Sequence, residues 1–121
     1  MVIDSNIIIY GANPANSTIT NYLTGKLILC SQISLIETLG YHKITDKEKT
    51  SINQLLSLAI IVAINDEIIS SAIELRQSRK MSLGDSIIAA TALHWGFPLL
   101  TNNEKDFIGI IGLQVIALSS I

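Results

Sequence analysis

Acidic side chains occur at four places in this chain where apolar residues surround them or where a short strand has just ended. They are Asp4, Glu37, Asp85 and Asp106. Only 15% of the 121 residues are charged, so the placement of carboxylates in apolar surroundings calls for a structural or functional explanation. Converging carboxylates repel one another and raise each other's pKa unless a cation lies between them. Because oxygen ligands without Cys or His partners favour Mg²⁺ or Mn²⁺ over zinc, the pattern predicts a divalent metal site.

Each acid also has a purely structural interpretation when it is considered alone. Asp4 could cap a short helix. Asp85 lies three residues after Ser82, as in a capping box with Asp in place of Glu. Glu37 could be exposed at the boundary of its helix, and Asp106 could cap a turn. Caps do not require all four acids to meet at one edge of a sheet, so their joint placement decides between the interpretations.

A carboxylate metal site suits the hydrolysis of phosphate esters, because the ion activates water and neutralises charge on the leaving oxygen. Other reaction classes have weaker support. The chain contains neither a G-x-x-x-x-G-K-[ST] loop nor a G-x-G-x-x-G motif. Neither Cys30 nor any serine has a persuasive His partner or a nucleophile-elbow sequence. Asn6 stands where an aspartyl-phosphate phosphatase would carry a second acid.

Length and composition predict one domain over residues 1–121. No apolar run is long enough to cross a bilayer, which takes about 18–20 residues. The start at Met1 has no basic segment typical of a signal peptide. The lone cysteine, Cys30, cannot form an intramolecular disulfide, so a reducing cytoplasm is expected.

The formal net charge of −2 provides no global basic field to attract nucleic acid. Positive charges cluster only locally, at Lys43, Lys47 and Lys49 and at Arg76, Arg79 and Lys80. Hydrophobic residues make up 49% of the chain, and excess apolar surface on a small domain marks partner sites. An oligomer or an obligate partner is therefore expected.

Short apolar segments alternate with helical patterns along the chain. The predicted strands are Val2–Ile3, Leu27–Cys30, Ile60–Ile64, Phe97–Leu100 and Gln114–Leu118, all of them short and apolar. The predicted helices are Ser5–Tyr10, Ala15–Leu23, Gln32–His42, Lys47–Ala59, Asp66–Arg79 and Leu83–Trp95. This alternation predicts a three-layer α/β/α domain with a mainly parallel sheet of about five strands.

The predicted order of strands and helices brings the acids towards one edge of that sheet. Asp4 ends the first strand, Thr101–Asp106 follows the fourth strand, and Asp85 opens a late helix. Glu37 lies mid-helix beside apolar residues such as Ile36, which predicts an inward-facing carboxylate. Ligands of α/β sheets gather beyond the carboxyl ends of the strands, where these groups converge.

At this point four segments resemble one family, the PIN-domain ribonucleases, and specifically the VapC-type toxins of toxin–antitoxin pairs. Val2–Tyr10 is similar to the first strand of that family and its D-x-N/S motif, and Ser34–Leu39 to its S-x-x-E helix. Gly84–Ala92 resembles the D-x-x-I-A-A-x-A helix, and Thr101–Phe107 the T-x-N/D-x-x-D-F turn. The four segments occur in the family's order and span nearly the whole chain.

The resemblance implies a Mg²⁺- or Mn²⁺-dependent endoribonuclease. It assigns Asp4 and Asp85 as the principal metal ligands, with Glu37 completing the acidic cluster. It gives Asn6 and Thr101 the role of orienting ligands or water. The implied partners are the RNA substrate, a cognate antitoxin and a second copy of the chain in a homodimer.

The fourth acidic position departs from part of the family. Asn103 stands where some members have an acid, whereas others have Asp three residues later, as at Asp106 here. Asp106 is the favoured fourth acid, directly or through a water, with Asn103 as a neutral ligand. The number of metal ions stays open. The neutral Asn103 and the negative net charge keep a non-catalytic binding subunit as an alternative, and a DNA nuclease on the same scaffold is another.

Overall fold

Five parallel strands form a single sheet in a computed structural model that describes residues 1–121. In chain order the strands are β1 Val2–Ile3, β2 Leu29–Ser31, β3 Ile60–Val62, β4 Leu99–Thr101 and β5 Val115–Ala117. Their order in the sheet is β3-β2-β1-β4-β5, and every neighbouring pair is parallel. The predicted parallel sheet of about five strands is confirmed.

Six helices cover the two faces of the sheet. They are α1 Ser5–Ala12, α2 Ser17–Leu23, α3 Gln32–Leu39, α4 Asp46–Leu56, α5 Asp66–Ser78 and α6 Leu83–Trp95. Three single 3₁₀ turns lie at Pro14–Asn16, Glu104–Asp106 and Leu118–Ser120.

Successive strand residues face opposite layers, as the period of two in a strand requires. Ile3 and Leu100 belong to a core that includes residues of α1, α2 and α4. Val2 and Leu99, their chain neighbours, belong to a second core that includes α6 and Phe107. The two cores give the predicted three-layer α/β/α arrangement.

The strand order changes direction beside β1. The chain runs from β1 outward to β2 and β3, and then crosses over the sheet through α5 and α6 to reach β4 on the other side of β1. Such a switch point opens a crevice at the carboxyl ends of the two central strands, where α/β proteins bind their ligands. Here those ends are Asp4, directly after β1, and Thr101, the last residue of β4.

The helix starts follow the side-chain caps that the sequence predicted. Ser31, Asn65 and Ser82 each accept a hydrogen bond from a backbone N–H in the first turn of the following helix. At α4 the cap is Thr45, one of two candidates, and it forms a full capping box with Glu48. Each cap satisfies a backbone donor that the helix itself leaves unpaired.

The prediction that Ile60–Ile64 forms a buried strand is wrong. β3 lies at the edge of the sheet and ends at Val62, and Ile60 and Ile61 are 55% and 38% exposed. Ile69 and Ile73 of α5 are exposed as well, whereas Ile68 and Ala72 of the same helix are buried. An edge strand lacks the second neighbour and the full cover that bury a central parallel strand.

Two helices end three residues earlier than predicted. α3 ends at Leu39 rather than His42, with Gly40 as its C-terminal cap, and α4 ends at Leu56 rather than Ala59. Gly is a poor helix former, which accounts for the first of these ends. None of the helices combines the length and the apolar character needed to span a bilayer.

Candidate active site

Asp4 lies at the switch point with both carboxylate oxygens already hydrogen-bonded. Oδ1 accepts from the backbone N–H of Ile7 at 3.0 Å, so Asp4 is the N-cap of α1. Oδ2 accepts from the Thr101 hydroxyl at 2.5 Å, which connects the carboxyl ends of the paired strands β1 and β4. The side chain is only 4% exposed. The capping interpretation and the site interpretation therefore both apply to this one residue.

Thr101 connects Asp4 to the turn that follows β4. Its hydroxyl donates to Asp4 and accepts from the backbone N–H of Asn103 at 2.9 Å. The residue is completely buried. One hydroxyl thus fixes the relative position of a strand end and the start of a turn.

Asp85 projects from the first turn of α6. The backbone N–H of Asp85 donates to the Ser82 hydroxyl at 3.1 Å, which fixes the start of the helix. Unlike α4, α6 does not form the reciprocal half of a capping box. Ile88 and Ala92, on the same side of the helix, are buried in the second core, so core packing holds the helix that carries Asp85.

Glu37 reaches the site from α3, although its residue is exposed. The Ser5 hydroxyl donates to Glu37 Oε1 at 2.6 Å and lies 3.0 Å from the Ser34 hydroxyl. The Glu37 carboxylate rests against Gly84 on α6, where an added methyl group would overlap Oε2 and lie 2.9 Å from Cδ. The absence of a side chain at Gly84 makes the room for this carboxylate.

The apolar neighbours of Glu37 explain its inward position only in part. Ile33, one turn earlier in α3, packs against the second core, but Ile36 is 67% exposed. Contacts with Ser5 and Gly84 place the carboxylate itself. Both residues lie inside the motif segments, but the sequence gives no sign that they meet Glu37.

The turn after β4 brings Asn103 and Asp106 into direct contact. The Asn103 side-chain amide donates to Asp106 Oδ2, which joins the two candidates for the fourth position. The side-chain carbonyl oxygen of Asn103 accepts no hydrogen bond, so it could serve as a neutral ligand. Asn6 lies exposed in the first turn of α1, and its side chain hydrogen-bonds to none of the acids.

The four acids form one electrostatic cluster. Burial raises the pKa of Asp85, and the charges of Asp106, Asp4 and Glu37 raise it further, while a hydrogen bond with Ser82 opposes them. Burial also raises the pKa of Asp4, against the lowering effect of its hydrogen bonds, above all that from Thr101. No Lys or Arg forms an ion pair with any of the four, since the one ion pair in the protein joins His94 to Glu67.

The donor set suits a hard divalent cation. Carboxylate oxygens, with an amide oxygen beside them, are the ligands that Mg²⁺ and Mn²⁺ prefer. No three acidic, His or Cys side chains are close enough together to enclose an ion by themselves. Water would have to complete the coordination, which agrees with the tendency of Mg²⁺ to keep several waters.

The family profile of the PIN domain matches residues 1–110. The chain belongs to the PIN-domain family. PIN domains are nucleases that generally use divalent metal ions. No curated protein sequence matches the chain significantly.

Solved structures show the same fold over nearly the whole chain. A toxin–antitoxin complex from Klebsiella pneumoniae contains a chain that is 31% identical, with a TM-score of 0.76, and the match covers 96% of this chain and 95% of that one. VapBC2 from Rickettsia felis, bound to a promoter DNA fragment, matches at 24% identity and a TM-score of 0.82, with 96% of both chains covered. DNA-bound VapBC from Salmonella typhimurium matches at 18% identity with a TM-score of 0.79, and the match again covers 96% of both chains. These matches and the family profile confirm the predicted PIN-domain family and fold.

Proposed function

We propose that this protein is a metal-dependent endoribonuclease and the toxin of a type II toxin–antitoxin pair, acting in the cytoplasm as a single nuclease domain. The carrying observation is the cluster of four acids at the switch point, which no Lys or Arg neutralises. Membership of a nuclease family and the 31% identity to a chain of a toxin–antitoxin complex support the assignment.

Asp4 and Asp85 would hold the ion, with Glu37 beside them and Asp106 reaching it directly or through water. When bound, Mg²⁺ or Mn²⁺ lowers the pKa of a water and neutralises charge on the phosphate. Thr101 keeps Asp4 in a single orientation through its short hydrogen bond. Asn103 restrains the carboxylate of Asp106 in the same way.

The antitoxin and the second copy of a homodimer would cover apolar surface that this chain leaves open. The exposed large apolar side chains include Ile60, Ile61, Ile69, Ile73 and Trp95. Contiguous exposed apolar surface on a small protein usually marks a binding face. Co-purification of the chain with the product of a neighbouring gene would identify the antitoxin.

The test compares cleavage of structured RNA and single-stranded DNA, side by side, with and without Mg²⁺. The variants are Asp4→Asn and Asp85→Asn, with Glu74→Gln, an exposed acid of α5, as the matched control. Asn caps helices as well as Asp does, so Asp4→Asn preserves the start of α1. We expect Mg²⁺-dependent RNA cleavage that both Asn variants lose by at least about 100-fold and that the control retains.

Thermal melting checks that the variants remain folded. Metal-independent cleavage, or wild-type activity in both Asn variants, would overturn the proposal. Cleavage of DNA in preference to RNA would favour a DNA nuclease. Absence of both cleavage and metal binding would favour a binding subunit.

A further inference from the structure

Arg79 lies directly after α5, in the link that leads to α6, and its side chain contacts the segment that follows β4. Its guanidinium donates one hydrogen bond to the backbone carbonyl of Ile108 at 2.8 Å and another to that of Asp106 at 3.3 Å. The two carbonyls flank Phe107, whose side chain is 1% exposed in the second core. The guanidinium and the buried ring thus both hold the same three residues.

Few other contacts anchor this segment on the side of Arg79. A cavity of about 520 Å³ opens there, lined by Leu75, Arg79, Leu93 and Gly109 among others. Ile108 and Ile111 are exposed. The turn also has its own backbone hydrogen bonds, from the Asp106 N–H to the Asn103 carbonyl and from the Phe107 N–H to the Glu104 carbonyl. The bonds from Arg79 differ because they tie the backbone at Asp106 to a different part of the chain, the link between α5 and α6.

The backbone of Arg79 is also close in sequence to Asp85. Arg79 is followed within three residues by Ser82, the cap that fixes the first turn of α6 and with it Asp85. Arg79 therefore joins the backbone segment that carries Asp85 to the one that carries Asp106. These two acids repel each other, so their spacing requires a restraint from outside the pair.

We propose that Arg79 is a positioning residue that sets the spacing between Asp85 and Asp106. The inference rests on the proposed function, since it gives the spacing a purpose in metal binding. An arginine suits the task because its planar fork holds two N–H donors in a fixed geometry, whereas the donors of a lysine ammonium lie on one atom at the end of a flexible chain. Both hydrogen bonds of the guanidinium go to the protein backbone.

The experiment compares Arg79→Gln with Arg76→Gln in the full-length protein. Arg76 lies one turn earlier in α5, is exposed and has no hydrogen-bond partner, so its variant removes the same charge without the restraint. Mn²⁺ binding is measured by calorimetry, and RNA cleavage is followed as a function of Mn²⁺ concentration. We expect binding to weaken about 10-fold in Arg79→Gln, as for groups that orient metal ligands, and to stay unchanged in Arg76→Gln. Arg79→Lys should lie between the wild type and Arg79→Gln.

A double-mutant cycle with Asp106→Asn separates positioning from general loss of structure. In the Asp106→Asn background, Arg79→Gln should cause no further loss of Mn²⁺ affinity, because the ligand that Arg79 positions is gone. Amide hydrogen exchange should become faster in residues 104–110 of Arg79→Gln, with the remaining strands unchanged. Equal Mn²⁺ affinity in Arg79→Gln and Arg76→Gln would overturn the inference, and so would additive losses in the cycle.

Failure of the proposed function gives a different result. In that case the wild type and Asp85→Asn would bind Mn²⁺ equally weakly and neither would cleave RNA. Hydrogen exchange in residues 104–110 would still decide whether Arg79 restrains the segment. Unchanged exchange there would overturn the positioning role irrespective of metal.

Discussion

Asp4 and Glu37 reach the same cluster but are held there in different ways. Asp4 is buried, and its two oxygens are bound by its own helix and by a neighbouring strand. Glu37 is exposed, and it depends on one serine hydroxyl and on empty space at Gly84. The backbone fixes the first acid, whereas side-chain packing between two helices places the second. Changes near Asp4 should therefore affect both folding and activity, and changes near Glu37 should affect activity alone.

The largest effect is expected when the buried hydroxyl beside Asp4 is removed. Thr101→Val keeps the shape of the side chain but leaves Oδ2 of Asp4 and the Asn103 N–H without a partner, while Oδ1 keeps its bond from Ile7. We expect a loss of roughly 2–4 kcal/mol in the free energy of unfolding, because buried groups without partners are costly. Urea unfolding followed by circular dichroism measures it, and RNA cleavage should fall as well.

Thr91→Val is the matched control for that change. Thr91 is equally buried, but its hydroxyl donates to the carbonyl of Ile87 within the same helix. That carbonyl keeps a backbone partner when the hydroxyl is lost, so the cost should stay below about 1 kcal/mol. Equal losses in the free energy of unfolding of the two variants would mean that the hydrogen bond to Asp4 stabilises the fold no more than the one within the helix.

The next effect concerns the space that Glu37 occupies. Gly84→Ala places a methyl group where the Glu37 carboxylate lies, and the flexible glutamate can move away without disturbing the core. We expect Mg²⁺-dependent cleavage to fall about 10-fold. The melting temperature should stay constant or rise, since Ala is a better helix former than Gly by up to about 1 kcal/mol. Leu83→Ala, an exposed change in the same turn, should leave activity unaffected.

Shortening the displaced side chain sharpens this test. In the Gly84→Ala background, Glu37→Asp removes one methylene and with it the overlap. Part of the activity should return in the double variant relative to Gly84→Ala alone. A fall in stability of Gly84→Ala would show that the contact belongs to the rigid part of the protein, and the contrast with Asp4 would then disappear.

A pH-dependent effect should follow from the crowding of charge around Asp85. Burial and then the charges of Asp106, Asp4 and Glu37 raise the pKa of Asp85 above its usual value near 3.8. A raised pKa means that ionisation disfavours the folded state, so stability is lost as the pH rises through the folded-state pKa. In metal-free protein, Asp85→Asn should melt at a higher temperature than the wild type at pH 7, with the gap closing towards pH 3.5.

Thermal scans in EDTA from pH 3.5 to 8 measure this difference in melting temperature between Asp85→Asn and the wild type. Mg²⁺ should abolish the difference by stabilising only the wild type. A gap that does not change with pH would show that charge crowding at Asp85 has no effect on folding.

The smallest effect is expected at Ser5. Ser5→Ala removes the one hydrogen bond that Glu37 accepts from another side chain, while the space at Gly84 remains. We expect cleavage to fall about two- to threefold, equivalent to the lower end of the energy of a hydrogen bond. Steady-state cleavage rates at saturating Mg²⁺ measure it, and a loss larger than that of Gly84→Ala would reverse the ranking of the two contacts.

Sequence reasoning succeeded where local chemistry decides the structure. The caps at Ser31, Asn65 and Ser82 determine where helices begin, and α6 runs over Leu83–Trp95 as predicted. Gly96 ends that helix in the left-handed conformation, with φ of 72°, which glycine adopts without strain. Asp4 was predictable for the same reason, because it directly follows a strand and caps the next helix.

Sequence reasoning failed where a distant element decides the structure. Ile60 and Ile61 have the composition of a buried strand, but only the order of the strands shows that β3 is an edge. The position of Glu37 depends on Gly84, which is 47 residues away in sequence and on another helix. Arg79 looked like one charge in a basic cluster, whereas its guanidinium binds two backbone carbonyls.

The hydrogen bond between Asp4 and Thr101 joins residues separated by 97 positions in a chain of 121. During synthesis, Asp4 therefore leaves the ribosome well before its partner. Prematurely terminated products that end before β4 would contain three of the four acids but no assembled centre. For the proposed nuclease, this topology would confine cutting to molecules whose synthesis has passed β4.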